Sequence, residues 1–254
     1  MEKVFGDIPI YWINLNSSIA RKNNMEKQLV GTNNYRIEAV DGRDKEHYKK
    51  TYKVINAKNV FSTALNAVLC SHLKAIKQAY DGKLPYVIVM EDKCQFDFIN
   101  FFNHSINDII QLANNKDSTW DIIQLYSAPI YGKLKDYKIK GLQVYPRIGE
   151  YYSLNYLINY QGMQKLLNLM PTNGIDYFDL TKIQDISGFE PLIYSPVNTY
   201  IVNCPVFYTF AEKSTFQNYF SSKRLNERLK CKISNLQIQI DAKKLLEDFY
   251  AAKK

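Results

Sequence analysis

The feature that most constrains the fold is a short apolar run that ends in two acids. Residues 86–90 are YVIVM, and Glu91 and Asp92 follow them directly. Five consecutive apolar residues of this kind are typical of a strand that is buried on both faces, as in parallel sheets. Adjacent carboxylates at the carboxyl end of such a strand favour a ligand crevice, because open α/β sheets bind ligands there. The alternative is that the two acids only open a solvated loop.

The segments around this run alternate between strand and helix patterns, which predicts an α/β fold. Residues 8–15 and 35–40 have the composition of strands, and capping oxygens at 16–18 precede a predicted helix. Apolar residues spaced by three and four predict a second helix over residues 60–80. Further along the chain we expect strands at 120–126 and 151–158, a helix at 161–170, short strands between Pro191 and Phe210, and a basic helical end.

Positive charge is concentrated at the carboxyl end of the chain. The net charge is +8 over 254 residues, and residues 221–254 carry nine Lys and Arg against four Asp and Glu. We expect a main domain over residues 1–220 and a basic helical extension over residues 221–254 that packs on it. Such an extension can meet nucleic acid, an anionic membrane or an acidic glycan, or it can be a solvated helix. Since the chain has no RNA-reading motif, we expect no nucleic acid and at most peripheral contact with a membrane.

Three features that the sequence lacks limit the compartments and cofactors that we expect. Four widely separated cysteines, none at a zinc-site spacing, are expected as thiols in a reducing compartment. Residues 1–7 lack the apolar core of a secretory signal, and no run reaches the ~18 apolar residues that span a membrane. The chain has no GxGxxG motif for a dinucleotide cofactor. We therefore expect a cytoplasmic protein or one at the periphery of a membrane.

The acidic run and three other segments together resemble one enzyme family. YVIVMEDKCQF at 86–96 is similar to the strand and acidic motif of sugar-nucleotide-dependent glycosyltransferases with the GT-A fold. The other segments narrow the resemblance to glycosyltransferase family 25, the lipooligosaccharide and collagen galactosyltransferase group. They follow in the family's order, and they are INL at 13–15 with Arg21 and Met25, YRIEAVDG at 35–42, and LNAVLCSHLKA at 65–75.

The resemblance implies a Rossmann-like GT-A domain over residues 1–220, with a central mixed sheet and the C-terminal helical extension. It implies an enzyme that transfers a hexose, galactose or glucose, from a UDP-sugar to an acceptor hydroxyl on a glycan or a protein, with inversion. By this resemblance Asp176 is the base that takes the acceptor's proton, and Asp179 is the second candidate, although either can be a turn acid. The donor-binding residues that it implies are Asn14, Arg21, Asp41, Gly42, Ser71, His72, Glu91, Asp92 and Lys93.

The residue types at these positions suit a nucleotide-sugar, and each also has a structural alternative. The Asn side chain at position 14 can pair with a uracil edge, and Arg21 can hold a phosphate or an internal carboxylate. Asp41 can accept ribose hydroxyls or make an Asx-turn. Ser71 and His72 lie beside the apolar stripe of the predicted helix, so they either approach the donor or belong to the core.

Lys93 departs from the family's pattern, which normally has an acid there that coordinates the Mn²⁺ of the donor diphosphate. A divalent ion roughly 4 Å from an ammonium group is repelled by about 8 kcal/mol at an effective dielectric constant near 20. In one interpretation Lys93 itself contacts the diphosphate, and the enzyme is metal-independent. In a second interpretation the acidic motif has lost its function. In a third interpretation Asp92 alone coordinates the metal, together with water and phosphate oxygens. We favour an active enzyme over a motif that has lost its function, because the other residues that match the family are present.

Two other functions stay open on the sequence alone. A non-catalytic protein that binds a nucleotide-sugar or a glycan would bind UDP without transferring or hydrolysing the donor. A nucleic-acid-binding protein would use the basic residues 221–254, and its affinity would fall steeply with salt.

Overall fold

Helices and strands alternate along the chain, as the sequence pattern predicts. The computed structural model describes residues 1–46, 52–53, 63–96, 99, 102–126, 141–147, 153–171, 178–179, 189–203 and 207–209. The helices are α1 (Glu2–Phe5), α2 (Ile19–Gln28), α3 (Thr63–Asp81), α4 (Ile106–Lys116), α5 (Tyr160–Leu169) and α6 (Phe189–Tyr194). The strands are β1 (Ile10–Asn14), β2 (Asn34–Glu38), β3 (Tyr52–Lys53), β4 (Tyr86–Glu91), β5 (Cys94–Gln95), β6 (Ile122–Gln124), β7 (Val144–Pro146), β8 (Asn155–Asn159), β9 (Phe178–Asp179), β10 (Thr199–Val202) and β11 (Tyr208–Thr209).

Seven of these strands form a mixed sheet in the order β2-β1-β4-β8-β6-β10-β7. Strands β2, β1 and β4 are parallel to one another, and so are β6 and β10. Strand β8 runs antiparallel between β4 and β6, with Asn155 opposite Met90. The carboxyl ends of β1 and β4 and the amino end of β8 therefore meet at one edge of the sheet. The predicted α/β architecture with a central mixed sheet is confirmed.

The alternation of side chains along β4 divides the core into two clusters. Ile88 and Met90 belong to a cluster that includes buried residues of α2 and α4. Val87 and Val89 belong to a second cluster, which includes buried residues of α3, α5 and α6. Because all four side chains are fully buried, β4 is covered on both faces, as its unbroken apolar sequence predicts.

The prediction of short strands between Pro191 and Phe210 is only partly right. Strands β10 and β11 lie in this range, but Pro191 belongs to the helix α6. A proline is tolerated in the first turn of a helix, where the missing N–H would have no partner within the helix. Leu192 and Ile193 are fully buried in the second cluster, so packing in this cluster, where α6 contacts α3, stabilises this short helix.

Several predictions concern segments outside the described residues, namely the extension over residues 221–254, the boundary at residue 220, and Cys204 and Cys231. Cys94 is a buried thiol, and burial raises its pKa to about 12. Within the described ranges, every helix is too short or too polar to cross a membrane.

Helix α5 packs so closely on the chain before β6 that only glycine fits at one position. A Cβ atom on Gly162 would lie 2.8 Å from the carbonyl oxygen of Asp121 and 3.1 Å from Cγ1 of Ile158. We expect Gly162→Ala to lower the free energy of unfolding by about 1–2 kcal/mol, because overpacking outweighs the higher helix propensity of alanine. Urea denaturation of the purified variant measures this difference.

Gln164→Ala is the matched control, because Gln164 is an exposed residue of the same helix. Its free energy of unfolding should stay within about 0.5 kcal/mol of the parent protein. A Gly162→Ala variant as stable as this control would show that the contact between α5 and the sheet is looser than described.

Candidate active site

Most of the predicted donor-binding residues lie where β1 and β4 end and β8 begins. Asn14 is the last residue of β1, and Glu91 is the last residue of β4. The backbone N–H of Glu91 donates to the carbonyl oxygen of Leu154 at 2.9 Å, and that of Asp92 donates to the carbonyl oxygen of Ile13 at 3.0 Å. These bonds fix the two acids at the edge of the sheet.

Asp92 is the centre of a buried group on the α2 side of the sheet. The side-chain amide of Asn14 donates to its Oδ2 atom at 2.7 Å, and the Nη1 atom of Arg21 lies 3.2 Å from its Oδ1 atom. Burial raises the pKa of Asp92, and the guanidinium and the amide offset this only in part. The Arg21 side chain is 32% exposed. Its Nη1 atom holds Asp92, and its Nη2 atom donates to the Ser18 hydroxyl at 2.7 Å.

Glu91 is the centre of a second group on the α3 side. The Nζ atom of Lys93 lies 2.9 Å from its Oε2 atom, and the hydroxyl of Ser153 donates to Oε1. The Nε2 atom of His72 lies 3.9 Å from the same Oε1 atom. Burial would raise the pKa of Glu91, but Lys93 and His72 outweigh it and hold this pKa well below its usual range. Glu91 is therefore an anion with a cation on its accessible side.

Lys93 is held at the edge of the sheet by this ion pair. Burial would lower its pKa, but the charge of Glu91 outweighs burial and the net direction is upward. Its side chain is 32% exposed, against 17% for Glu91. Lys93 is thus a charged ammonium group on a side chain that is partly exposed just after β4.

His72 lies behind Glu91 and is fully buried. Its Nδ1 atom is 3.1 Å from the hydroxyl oxygen of Tyr156 on β8, and the two rings are stacked with centroids 5.7 Å apart. The structure therefore places His72 beneath the carboxylate of Glu91, where it supports the charge of that group. Its predicted contact with the donor stays a prediction.

Ser71 and Asp41 have structural contacts at the end of β2. The backbone N–H of Val40 donates to the Ser71 hydroxyl at 2.9 Å, and this hydroxyl donates to the carbonyl oxygen of Ala67 at 2.7 Å. Asp41 accepts from the backbone N–H of Arg43 at 3.0 Å, which is the Asx-turn that the sequence offers as the alternative. The side-chain hydrogen bond from Arg43 lowers the pKa of Asp41. Gly42 lies within this turn.

Two arginines that the sequence reasoning missed position these groups. The Nε atom of Arg36 on β2 donates to the side-chain oxygen of Asn14 at 3.0 Å, which leaves the amide nitrogen of Asn14 aimed at Asp92. Arg43 donates to the Ser17 hydroxyl at 3.0 Å and so links the turns after β2 and β1. The signal for Arg36 was present, since it shares the polar face of β2 with Glu38.

Glu190 is a third carboxylate of the site that the sequence reasoning missed. It lies in the first turn of α6 and is partly exposed. Burial raises its pKa to about 7, with a further contribution from the negative charge of Glu91, while the backbone of Ser153 and the charge of Lys93 oppose the shift. The sequence gives little signal for it, because the helix that positions Glu190 contains Pro191.

Of the two predicted catalytic bases, only Asp179 lies within the described residues. Asp176 lies outside the described residues. Asp179 ends β9, which pairs with β3 in a separate two-stranded sheet, and its backbone N–H donates to the carbonyl oxygen of Pro171 at 2.8 Å. The assignment of either residue as the base stays a prediction.

The described residues do not fit the Mn²⁺ ion that such an acidic motif implies. Both carboxylate oxygens of Asp92 are engaged, one by Asn14 and the other by Arg21. Lys93 adds a positive charge near this carboxylate. Over the described ranges no three His, Cys, Asp or Glu residues are grouped so that they could hold a metal. A metal on Asp92 would have to replace the Arg21 ion pair.

Comparison with known proteins assigns the family. Residues 7–179 match the family described as glycosyltransferase family 25 (LPS biosynthesis protein). The chain belongs to this family. The sequence resemblance to family 25 is confirmed.

One curated relative is procollagen galactosyltransferase 1 of Danio rerio, with 25% identity over 144 residues. The match covers 53% of this chain and 21% of that protein, so the chain spans about a fifth of the relative's length. Among solved structures, a glycosyltransferase involved in the glycosylation of the major capsid of PBCV-1 has a TM-score of 0.36 and 14% identity, over 67% of this chain and 71% of that one. Mouse xyloside xylosyltransferase 1 has a TM-score of 0.31 and 10% identity, over 62% of this chain and 55% of that one.

The raised pKa of Glu190 predicts how the free energy of unfolding depends on pH. Since this pKa is about 7 in the folded protein and the unfolded value is lower, the folded state binds more protons between about pH 4.5 and pH 7. The contribution of Glu190 to the free energy of unfolding therefore falls as the pH rises through this window. Glu190→Gln should remove that loss and be more stable than the parent by about 1–3 kcal/mol at pH 8, measured by urea denaturation across the pH range.

Glu26→Gln is the control, because Glu26 is an exposed carboxyl group of α2. This variant should keep the pH dependence of the parent protein. If Glu190→Gln and the parent lose stability in parallel between pH 5 and pH 8, then Glu190 is ionised across that range and is not buried as described.

Proposed function

We propose that this glycosyltransferase transfers a hexose, galactose or glucose, from a UDP-sugar to a hydroxyl group of a glycan or protein acceptor, with inversion at the anomeric carbon. The observation that supports the proposal is a pair of cations at the edge of the sheet. Arg21 and Lys93 are each held by one of the two adjacent acids, and each is about one-third exposed. Family membership supports the same chemistry.

The two cations suit a diphosphate because they differ in geometry. The planar guanidinium of Arg21 can engage phosphate oxygens with the donors that do not face Asp92, while the ammonium of Lys93 acts as a compact point charge. Both are anchored before a ligand arrives, so little reorganisation is needed when charge develops on the departing UDP. We propose that they take the role that a metal ion has in related acidic motifs, which makes the enzyme metal-independent.

The proposed reaction is a single displacement. The acceptor oxygen forms a bond to the anomeric carbon while the bond from that carbon to the β-phosphate oxygen breaks, and UDP leaves with the electron pair. The proton of the acceptor hydroxyl passes to a carboxylate base, for which the sequence offers Asp176 and, second, Asp179. Glu91 and Asp92 position Lys93 and Arg21, and Glu91, the more exposed of the two acids, offers an acceptor to ribose or sugar hydroxyls.

Calorimetry with UDP, UDP-galactose and UDP-glucose tests this proposal, in the presence of manganese and in the presence of a chelator. We expect binding that the chelator does not change. We expect Lys93→Ala to weaken it by about tenfold or more, because a charge-assisted contact to phosphate is lost. Lys27→Ala is the matched control, since Lys27 is an exposed lysine of α2, and it should bind as the parent does.

The other outcomes separate the alternatives. Binding that requires manganese would mean that Asp92 exchanges Arg21 for a metal, and metal independence would be wrong. Binding without any hydrolysis or transfer of the sugar would favour a non-catalytic nucleotide-sugar-binding protein. Failure to bind any of the three ligands would contradict the transferase proposal.

A further inference from the structure

Gln28, the last residue of α2, binds the backbone of the segment that follows Lys93. Its Oε1 atom accepts from the backbone N–H of Phe96 at 3.1 Å, and its Nε2 atom donates to the carbonyl oxygen of Cys94 at 3.3 Å. A side-chain amide offers a donor and an acceptor from one planar group. Gln28 therefore pairs with residues 94–96 much as the backbone of a neighbouring strand would.

Other contacts fix both the segment and the helix that Gln28 joins. Strand β5 pairs antiparallel with β11, with Cys94 opposite Thr209. The Cys94 side chain is fully buried, and the amide of Asn155 donates to its Sγ atom at 3.0 Å. Cys94 and Phe96 share the first core cluster with Met25 of α2. The two bonds of Gln28 thus join two parts of the chain that are each anchored in the core.

Helix α2 contacts the chain on both sides of Lys93. Arg21 binds the side chain of Asp92, which precedes Lys93, and Gln28 binds the backbone that follows it. Arg21 and Gln28 are seven positions apart in α2, about two helical turns, so they lie on one face of the helix. Between these two contacts, the ammonium group of Lys93 lies 2.9 Å from Glu91 and its side chain is about one-third exposed.

We propose that Gln28 is a positioning residue for the diphosphate of the donor, and that it acts by holding the backbone on which Lys93 stands. This inference rests on the proposed function, in which Lys93 contacts the diphosphate. A charged group stabilises a developing charge best when it is already in place, because no reorganisation is then needed during the reaction. Gln28 supplies part of this order without touching the donor.

A role in the fold alone makes a different prediction. A side chain that only satisfied the backbone groups of residues 94 and 96 would contribute to stability, and its removal would have the same effect whether or not Lys93 is present. A side chain that acts through Lys93 loses its effect on the diphosphate once the ammonium group is gone. A double-mutant cycle measures this difference directly.

The test is such a cycle between Gln28 and Lys93, with the dissociation constant of UDP measured by calorimetry. Gln28→Met keeps the length of the side chain and removes both bonds. We expect it to weaken UDP binding about fivefold when Lys93 is present, which is the net worth of roughly one hydrogen bond. In the Lys93→Ala background we expect a change of less than about twofold.

Asn23→Met is the matched control, because Asn23 is an exposed amide residue of the same helix, and it should bind UDP as the parent does. A fivefold effect of Gln28→Met that persists in the Lys93→Ala background would overturn the inference. So would a Gln28→Met variant that binds UDP as tightly as the parent.

A second variant covers the case that Gln28→Met does not fold. Gln28→Asn keeps an amide that is one methylene group shorter, so it cannot reach the carbonyl oxygen of Cys94 and the N–H of Phe96 together. We expect it to weaken UDP binding with the same dependence on Lys93. Equal effects of Gln28→Asn with and without Lys93 would overturn the inference as well.

Turnover of the donor gives a readout that a general loosening of the site would not reproduce. UDP gains negative charge as its bond to the sugar breaks, so a misplaced Lys93 affects the transition state more than the bound donor. For UDP release from UDP-galactose and UDP-glucose, we expect Gln28→Met to lower kcat about fivefold and to raise KM less than about twofold. Equal changes in kcat and KM would mean that Gln28 supports the whole donor pocket and does not act through Lys93.

The parent protein separates this inference from the proposed function. A parent that binds neither UDP nor a UDP-sugar would overturn the proposed function and this inference with it. A parent that binds and releases UDP, with independent effects of Gln28→Met and Lys93→Ala, would overturn only the assignment of Gln28.

Discussion

The alternation of side chains along β4 is the constraint on which the site depends. The strand is buried on both faces, so each of its residues must belong to one core cluster or the other. At the edge of the sheet the same alternation separates two adjacent acids, and Glu91 joins the α3 side while Asp92 joins the α2 side. Two neighbouring carboxylates that would repel each other in one group instead each bind a cation of their own.

This separation explains how the chain accommodates a lysine where the family has an acid. If Glu91 and Asp92 shared one site, a metal would be the obvious way to balance their charge, and Lys93 would compete with it. With Asp92 already paired to Arg21, the turn after β4 can bring Lys93 back onto Glu91. Lys93 then balances the charge of Glu91 and keeps about a third of its side chain exposed. The same residue thus satisfies the fold and leaves a cation for the diphosphate contact that we propose.

The parts of the fold and site that could be predicted are those with a local signal. The apolar run of β4, the periodic stripe of α3 and the polar residues that end β1 and β4 all appear in the sequence and lie where it indicates. Helix α6 could not be predicted, because Pro191 is a strong breaker signal that the burial of Leu192 and Ile193 in the second core cluster overrides. Ser153 has no local signal, since its partner Glu91 is far away in sequence.

The antiparallel direction of β8 is what places Ser153 among the carboxylates. A parallel strand beside β4 would bring its last residue to this edge, with its backbone N–H already used in the sheet. Because β8 enters the sheet here, the ladder with β4 closes at Leu154, whose carbonyl oxygen accepts from Glu91. Ser153 lies one residue outside the ladder, and its hydroxyl donates to Glu91. The mixed topology thus supplies a hydrogen bond that holds the carboxylate of Glu91 where β4 ends.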